Sequence, residues 1–518
     1  MGDEAAGKPP VVILREETNV TSGTAVQEKL IAAARVFADL LRPTYGPRGL
    51  DKMLYKTDGT TAVTNDGAKI VAELMVKHPA AKMFVAMAES QENSCGDGVT
   101  GTLLLSAELL LEAGRLLQKR LHPLTIIEGY AKANQIAQQK IATVVNESTT
   151  QSLHEVARTS LTGKGAEGAA PILSDMIVQA LQTVDGDPDF VTMHKTNTGA
   201  LSDSKLLNGI VVRRRILLDS LPTKIEGAKV ATINGDIAPR KQIRSAEIEI
   251  EDAEQLDAFL MAEEATRDVL AESLLKSGAN TFLCSGTVDK GLLHRLMRAG
   301  CFVAGEFDDS ELTNASLATG SRIIEHLADI SEEDIGVAGR LVTERRAATD
   351  QVEDMIRLES CPDPNVVTCE IGGANNLAAE EAIRATHDAL RSTGLAMRSN
   401  QLIHGGGATH MACALAIREA AEHEAGRNRL AMEAFARALE IIPSTLALNA
   451  GTDALDRILE LRAAHRNGEG DAGITAAGKV GKTGAKEAAA CLESAFNSAT
   501  ETCASMLRID QVVSARGD

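Results

Sequence analysis

The chain has 518 residues, with 53 Lys+Arg against 72 Asp+Glu, a formal charge of −19. This length predicts about three or four domains. Its 44% hydrophobic content excludes wholesale disorder, and its acidic balance argues against a nucleic-acid or anionic-membrane binder, which needs a basic footprint. With 9 Phe, 3 Tyr and no Trp, the core must come from Ala, Leu, Val and Ile, a mixture that favours closely packed helices.

No apolar run reaches the roughly 18–20 residues that cross a bilayer. The acidic start Met1-Gly2-Asp3-Glu4 leads to no signal-type segment. Cys95, Cys284, Cys301, Cys361, Cys369, Cys413, Cys491 and Cys503 form no C-x-x-C pair, so they read as reduced thiols. A cytoplasmic protein is expected. In chain order, Leu30, Ala34, Phe37 and Leu41 draw the stripe of an amphipathic helix over 24–42, which Pro43 ends. A turn at 45–49 and a β-like stretch at Thr60–Thr64 follow. Helices are predicted through Leu74, over 80–92, over 99–117 and over 124–146. Between 208 and 318, β-branched runs (209–212, 229–233, 301–304) alternate with helices at 289–299 and 309–318, which predicts an α/β domain. Residues 251–277 read as a helix with Leu256, Phe259, Leu260, Val269, Leu270, Leu274 and Leu275 on one side. Long Ala-rich helices return at 375–396, 408–424, 427–441 and 487–507.

Three glycine clusters could meet phosphate. Gly96-Asp97-Gly98-Val99-Thr100-Gly101 matches the dinucleotide fingerprint literally, but that motif needs a preceding strand and the segment before it reads as helix. The anion-binding physics survives: bare N–H groups, a helix N-terminus, and a carboxylate able to hold a divalent cation. A plain glycine turn between helices is the competing reading. Residues 476–483, Ala-Ala-Gly-Lys-Val-Gly-Lys-Thr, resemble a phosphate-binding P-loop with Ala for its first Gly, against the alternative of a Gly/Lys hairpin or loop. Gly405-Gly406-Gly407 precedes a helix start near Ala408 and is otherwise a turn.

The run Tyr45-Gly46-Pro47-Arg48-Gly49-Leu50-Asp51-Lys52-Met53 resembles the signature of the group II chaperonins, the family of the thermosome and the eukaryotic cytosolic ring chaperonins. Thr64-Asn65-Asp66-Gly67-Ala68, His78 to Met83, Gly96-Asp97-Gly98, Leu161 to Glu167, His387-Asp388-Ala389-Leu390, the 405–407 glycines, Ala450 to Ala454 and Leu507 to Asp510 continue the match in family order over nearly the whole chain. The resemblance implies a multidomain α and α/β chaperonin fold. A helical equatorial domain would come from 1–148 and 403–518, and a hinge-like intermediate domain from 149–215 and 367–402. An apical α/β substrate-binding domain over 216–366 would carry a helical lid protrusion near 245–278. It implies identical or paralogous subunits in two stacked rings around non-native polypeptide clients, with no separate lid co-chaperonin, no nucleic acid and no membrane.

It also implies ATP and Mg2+ as cofactors. Gly46 and Pro47 would line the nucleotide pocket, Asp97 would coordinate magnesium, and Gly96, Gly98, Val99, Thr100 and Gly101 would surround the phosphates. Asp66 and Asp388 would orient and polarise the attacking water as catalytic residues. Lys164 would sense the γ-phosphate from the intermediate domain, Gly406 and Gly407 would approach ribose or base, and Glu487 the adenine. Phosphoryl transfer calls for these parts: a metal, oriented donors and a carboxylate near the water. Taken singly, each aspartate reads more readily as a helix cap or a solvated carboxylate, and only the joint match overturns that reading. The chain departs from the family pattern at Val99 and Gly101, where hydroxyl residues are usual, at Ala488, where Pro is usual, and before Ile371, where Arg is common. Each lost neutral hydrogen bond is worth about 0.5–1.5 kcal/mol, so slower or weaker nucleotide use is expected rather than none. Arg213-Arg214-Arg215 reads as a solvated strand end or subunit contact, and His404 and His410 lack zinc-site spacing. Arg516-Gly517-Asp518 reads as a tail. The helix 289–299, with Leu292, Leu293, Leu296 and Met297, is a candidate client contact or ordinary core.

Overall fold

The computed structural model describes residues 20–55, 61–73, 79–196, 199–239, 253–347, 352–373 and 376–513. Met1–Glu4, Thr60, Leu74, His78, residues 245–252 of the expected protrusion, the Leu256 side chain, residue 375 and Arg516-Gly517-Asp518 lie outside the described residues. The chain divides into two units, one of Met1–Glu167 with Arg391–Asp518, the other Gly168–Leu390.

In the first unit the expected stripe turns inward: Leu30, Ala34, Phe37 and Leu41 are all buried on the helix Thr24–Leu41. The 3-10 turn Arg42–Thr44 ends that helix at Pro43, whose ring fixes the turn's start. The helix Val99–Gln118 is the central rod, packed by Thr24–Leu41, Asn428–Leu439 and Ala489–Leu507. Small residues set these approaches. Gly129, on the helix Pro123–Val144, lies so close to Asn428 and Ala431 that a side chain there would strike both. The scarce aromatics cluster: Phe37 against Phe84 at 5.2 Å between ring centroids, and Tyr130 edge-on to Phe435 at 5.6 Å. The Tyr130 hydroxyl donates to the Leu109 carbonyl at 2.8 Å, which satisfies the one polar atom that a buried tyrosine brings. Two buried carboxylates clamp helices together. Glu112 accepts from Arg437 at 2.7 Å, and Glu440 accepts from Arg462 at 2.7 Å and Arg418 at 2.5 Å.

Small antiparallel pairs finish this unit. Val20–Ser22 pairs with Gln511–Val513, Lys52–Tyr55 with Thr61–Thr64, and Leu402–His404 with Lys486–Ala488. The segment resembling a P-loop is a hairpin, with Ala472–Ile474 against Val480–Lys482, and the next helix begins only at Ala489. Lys482 lies exposed on it, paired with Asp471 at 2.8 Å. A P-loop lysine must follow a buried strand and open a helix, so the alternative of a P-loop enzyme using 476–483 is excluded.

In the second unit a seven-stranded mixed sheet runs in the order Ile210–Arg213, Val352–Glu359, Gly336–Ala347, Lys224–Ile233, Thr281–Cys284, Phe302–Ala304, with Ile323–Ile324 also on Lys224–Ile233. The pairs among 224–233, 281–284 and 302–304 are parallel, and the burial of all four residues of Thr281–Cys284 is what a strand covered on both faces needs. A second sheet places Val367–Ile371 between Val191–Lys195 and Lys205–Leu207. The helix Lys290–Arg298, capped by Asp289, buries Leu292, Leu293 and Leu296 in the core. Those leucines are therefore packing residues and not a client contact. The helix Ala253–Lys276 buries Leu274 but leaves Phe259, Leu260 and Val269 exposed, so the apolar set read as one side is divided between core and solvent. Arg214, just past the strand Ile210–Arg213, pairs with Asp308 at 3.3 Å and with Glu311 and is half-buried, whereas Arg213 and Arg215 on either side are exposed.

Candidate nucleotide site

Three loops of the first unit approach one another. The first follows Pro43. Gly46 takes φ +85°, the Gly49 N–H donates to the Gly46 carbonyl at 2.9 Å, and the Asn449 amide holds the Arg42 and Tyr45 carbonyls at 2.8 Å each. Against this turn lies Gly163, whose α-carbon faces the Gly46 carbonyl and Pro47 so closely that no side chain fits. Lys164 is next in the chain, and the Asn65 amide donates to the Gly163 carbonyl. Lys164 thus belongs to the same unit as Gly46 and Pro47.

The second loop is 96–98. The helix Pro79–Cys95 stops at Cys95, Gly96 and Gly98 take φ +71° and +81°, and the helix Val99–Gln118 starts with Gly98 as its left-handed N-cap and no side-chain cap. Its first-turn N–H groups therefore point out without intrahelical acceptors. The Asp97 carboxylate accepts the Gly98 N–H at 2.7 Å, and the Gln91 amide donates to the Asp97 carbonyl at 3.4 Å. Val99 is buried, so only its backbone is available to a phosphate. Gly101 faces Tyr45, and the tyrosine ring occupies the space beside the missing side chain. Thr100 lies against Gly67 at the start of the helix Gly67–Glu73.

The third loop is 405–407. Gly407, at φ +82°, caps the helix Ala408–His423, and Pro443 leaves no room for a side chain on it. Gly406 is closed in by Thr483. Glu487 pairs across the strands with Ile403, and its carboxylate lies against Gly405.

The charges tie these loops into one site. Burial, then Asp97, pushes the Glu487 carboxyl up to about 7. Burial, then Glu487 and Asp97, pushes the Tyr45 phenol well above its ordinary value. Burial, then Asp66 and Asp97, pushes Glu92 up to about 7 against the opposing pull of Lys164 and Arg391. Asp66 accepts the Ala68 N–H at 2.9 Å and so also caps its helix. A cleft of about 290 Å3 opens beside Asp66 and Glu92, with Lys69 and Glu89 on its walls. Asp388 is on the helix Asn376–Ser399, in the stretch assigned to the second unit.

Sequence reasoning missed Glu92, Arg391 and Asn449. Glu92 stands one helical turn before Gly96, whose N–H its carbonyl accepts at 2.8 Å, and that offset was the available signal. The Arg391 stem fills the space beside Gly96, a contact that no local pattern announces.

Among the described residues, no three His, Cys, Asp or Glu side chains are grouped to hold a metal by themselves. Asp97 beside a helix N-terminus nevertheless suits magnesium, which is commonly held by one or two carboxylates together with phosphate oxygens. The excess of carboxylates around Glu92 fits a cation, and the glycine-lined N-termini at Gly98 and Gly407 fit an anion. The residues present therefore fit a magnesium-bound nucleotide. Burial lowers the His410 imidazole to about 4, and burial with Lys486 lowers His404, as fits structural histidines rather than zinc ligands. Among the described residues no helix is long and apolar enough to cross a membrane.

Comparison with known proteins meets this site from outside. The model of the TCP-1/cpn60 chaperonin family matches residues 37–517. A thermosome subunit of Methanopyrus kandleri is 38% identical, over 98% of this chain and 95% of its own length. The thermosome subunit beta of Archaeoglobus fulgidus is 36% identical over 98% and 95%, and the thermosome subunit alpha of Halobacterium salinarum 34% over 98% and 92%. With near-complete coverage in both directions, and with the motif glycines set in loops that a nucleotide would need, the chain belongs to the TCP-1/cpn60 chaperonin family.

Proposed function

We propose that this chain is a cytoplasmic, ATP-hydrolysing chaperonin subunit. It works in two stacked rings of identical or paralogous copies that enclose non-native polypeptides. What supports the reading is the packing of the glycine loops: Gly101, in the first turn after the 96–98 loop, faces the Tyr45 ring, and the Glu487 carboxylate lies against Gly405, with Asp97 among the charges that push both Tyr45 and Glu487 up. Gly46, Pro47 and the first turn at Val99, Thr100 and Gly101 bind the nucleotide through backbone groups, while Gly406, Gly407 and Glu487 face its ribose and base. Asp97 holds magnesium, which when bound offsets charge on the phosphate oxygens. Lys164 meets the terminal phosphate as a point charge. Asp66 accepts the proton of the attacking water, and Asp388 is assigned to the same task on its motif alone.

Steady-state Mg-ATPase of the purified protein tests this. Asp66→Asn and Asp388→Ala should each lower kcat by about 100-fold or more with nucleotide still bound, the range of general-base loss. Asp97→Asn should weaken Mg-nucleotide binding itself. Wild-type turnover that survives all three changes would rule the assignment out. Electron microscopy with and without ATP should show stacked rings that change shape. Val99 and Gly101 favour a second reading, a ring subunit with slow turnover, which a low kcat in otherwise normal rings would establish.

A further inference from the structure

The first turn of the helix Val99–Gln118 brings few polar side chains of its own to an anion. Val99 is apolar and buried, and Gly101 has no side chain. Thr100 turns its hydroxyl onto Gly67, so closely that no side chain fits there. Thr102 donates its hydroxyl to the Gly98 carbonyl at 2.9 Å. The N–H groups of the turn remain available, but its hydroxyls are absent or turned onto protein.

Tyr45 reaches this gap from another segment. A β-carbon at Gly101 would lie 3.4 Å from the Tyr45 hydroxyl oxygen and 3.5 Å from its ring, with Ile442 next at 3.8 Å. The phenol oxygen thus borders the space that a longer side chain at position 101 would enter. The tyrosine is held there from both ends. Its N–H donates to the Arg42 carbonyl at 3.3 Å, and its carbonyl accepts from the Asn449 amide at 2.8 Å. Its ring packs against the main core of the first unit and against the smaller cluster around Met411 and Leu446. Among the described residues the hydroxyl itself has no hydrogen-bond partner. Burial and the Glu487 and Asp97 carboxylates keep the phenol protonated, so it is a donor awaiting an acceptor. The neighbouring helix N–H groups select an anionic one.

We propose that Tyr45 is a nucleotide-binding residue whose hydroxyl stands in for the side-chain hydroxyl absent at Gly101 and donates to a phosphate oxygen of the bound nucleotide. The inference rests on the nucleotide reading above and deepens it. Tyr45 and Gly101 form an exchanged pair, in which the helix gives up a side chain and the 42–47 turn supplies a longer one. The departure at Gly101 therefore leaves phosphate binding intact.

Calorimetric titration of the assembled, full-length protein with Mg-ADP tests this. Tyr45→Phe removes one oxygen and keeps the ring, so Tm should be unchanged while Mg-ADP affinity falls about tenfold or more, the size of a hydrogen bond to a charged group. Gly101→Ser should bring no gain beside the tyrosine. Added to Tyr45→Phe it should restore the lost affinity, because the nearest remaining atom is then the ring carbon at an ordinary 3.5 Å. A role in packing alone predicts neither the loss nor the repair, since the ring contacts stay the same throughout. Wild-type protein that binds Mg-ADP and a Tyr45→Phe protein that binds it equally well overturn the inference and leave the nucleotide reading standing. Gly101→Ser that tightens binding equally in both backgrounds, or repairs nothing, overturns the exchange. Wild-type protein that binds no Mg-ADP overturns the nucleotide reading and this inference with it.

Discussion

Glu92 is one helical turn ahead of the 96–98 loop, and its carboxyl is pushed up to about 7 by burial and by Asp66 and Asp97. Unfolded, the same side chain loses its proton near the ordinary 4.5. Between those values the folded state holds a proton that the unfolded state has released, so stability falls as pH rises from about 4.5 to 7 and is level above. Glu92→Gln should remove this slope and raise stability at pH 8 by about 1–3 kcal/mol, read as Tm across pH 5–8. A variant whose Tm keeps the wild-type slope would place the carboxylate strain elsewhere. This residue also marks how far the sequence could be read. Asp97 and its glycines were legible because their chemistry is local: positive φ, bare N–H groups, a helix start. Glu92 and Arg391 were not, because their significance comes from other segments: Asp66 and Lys164 facing Glu92, and Gly96, from a distant part of the sequence, against the Arg391 stem.

Elements show the same division. The helix Val99–Gln118 was legible from its leucines, and its start at Gly98 costs nothing in space: the nearest atom to a side chain there is the Gln91 amide nitrogen at an ordinary 3.6 Å. Gly98→Ala should therefore cost only the strain of a side chain at the left-handed φ of +81°, about 1–2 kcal/mol by chemical denaturation. A loss beyond about 4 kcal/mol would mean that the loop rearranges. Short strands such as Lys52–Tyr55 and Leu402–His404 were not legible, since each exists only through a partner strand. The long hairpin of Gly336–Ala347 and Val352–Glu359 was passed over because its charged residues mask the alternation. The carboxylate hub at Glu440 joins the helices Ala408–His423 and Ala454–Arg466. Burial alone would raise its pKa, but Arg462 and Arg418 outweigh that and hold it below the ordinary value. Its stabilisation is thus complete above about pH 4.5 and is lost as pH falls further. Glu440→Gln should cost about 2–3 kcal/mol at pH 7 and flatten the acid limb of the stability curve. An unchanged acid limb would remove Glu440 from that role.

At the scale of the whole molecule, the charge of −19 per chain acts against assembly of like copies. Raising salt from about 0.05 M to 0.5 M shortens the screening length severalfold, so sedimentation velocity should show fewer free subunits at the higher salt. Dissociation that increases with salt would instead assign the contacts to ion pairs. The block order of helices, α/β and helices was legible from composition, because small residues and β-branched runs separate cleanly along the chain. The division into two units, with Lys164 in the first, was not, since it depends on where distant segments meet. One such meeting governs how the molecule comes into being. Val20–Ser22 is zipped to Gln511–Val513, and the first unit takes residues from both sides of the second. A chain emerging from the ribosome can complete Gly168–Leu390 while its earliest residues still wait for partners not yet translated. The first unit is therefore the last part to mature, and a nascent chain halted before the strand Gln511–Val513 would hold a finished middle and an open beginning.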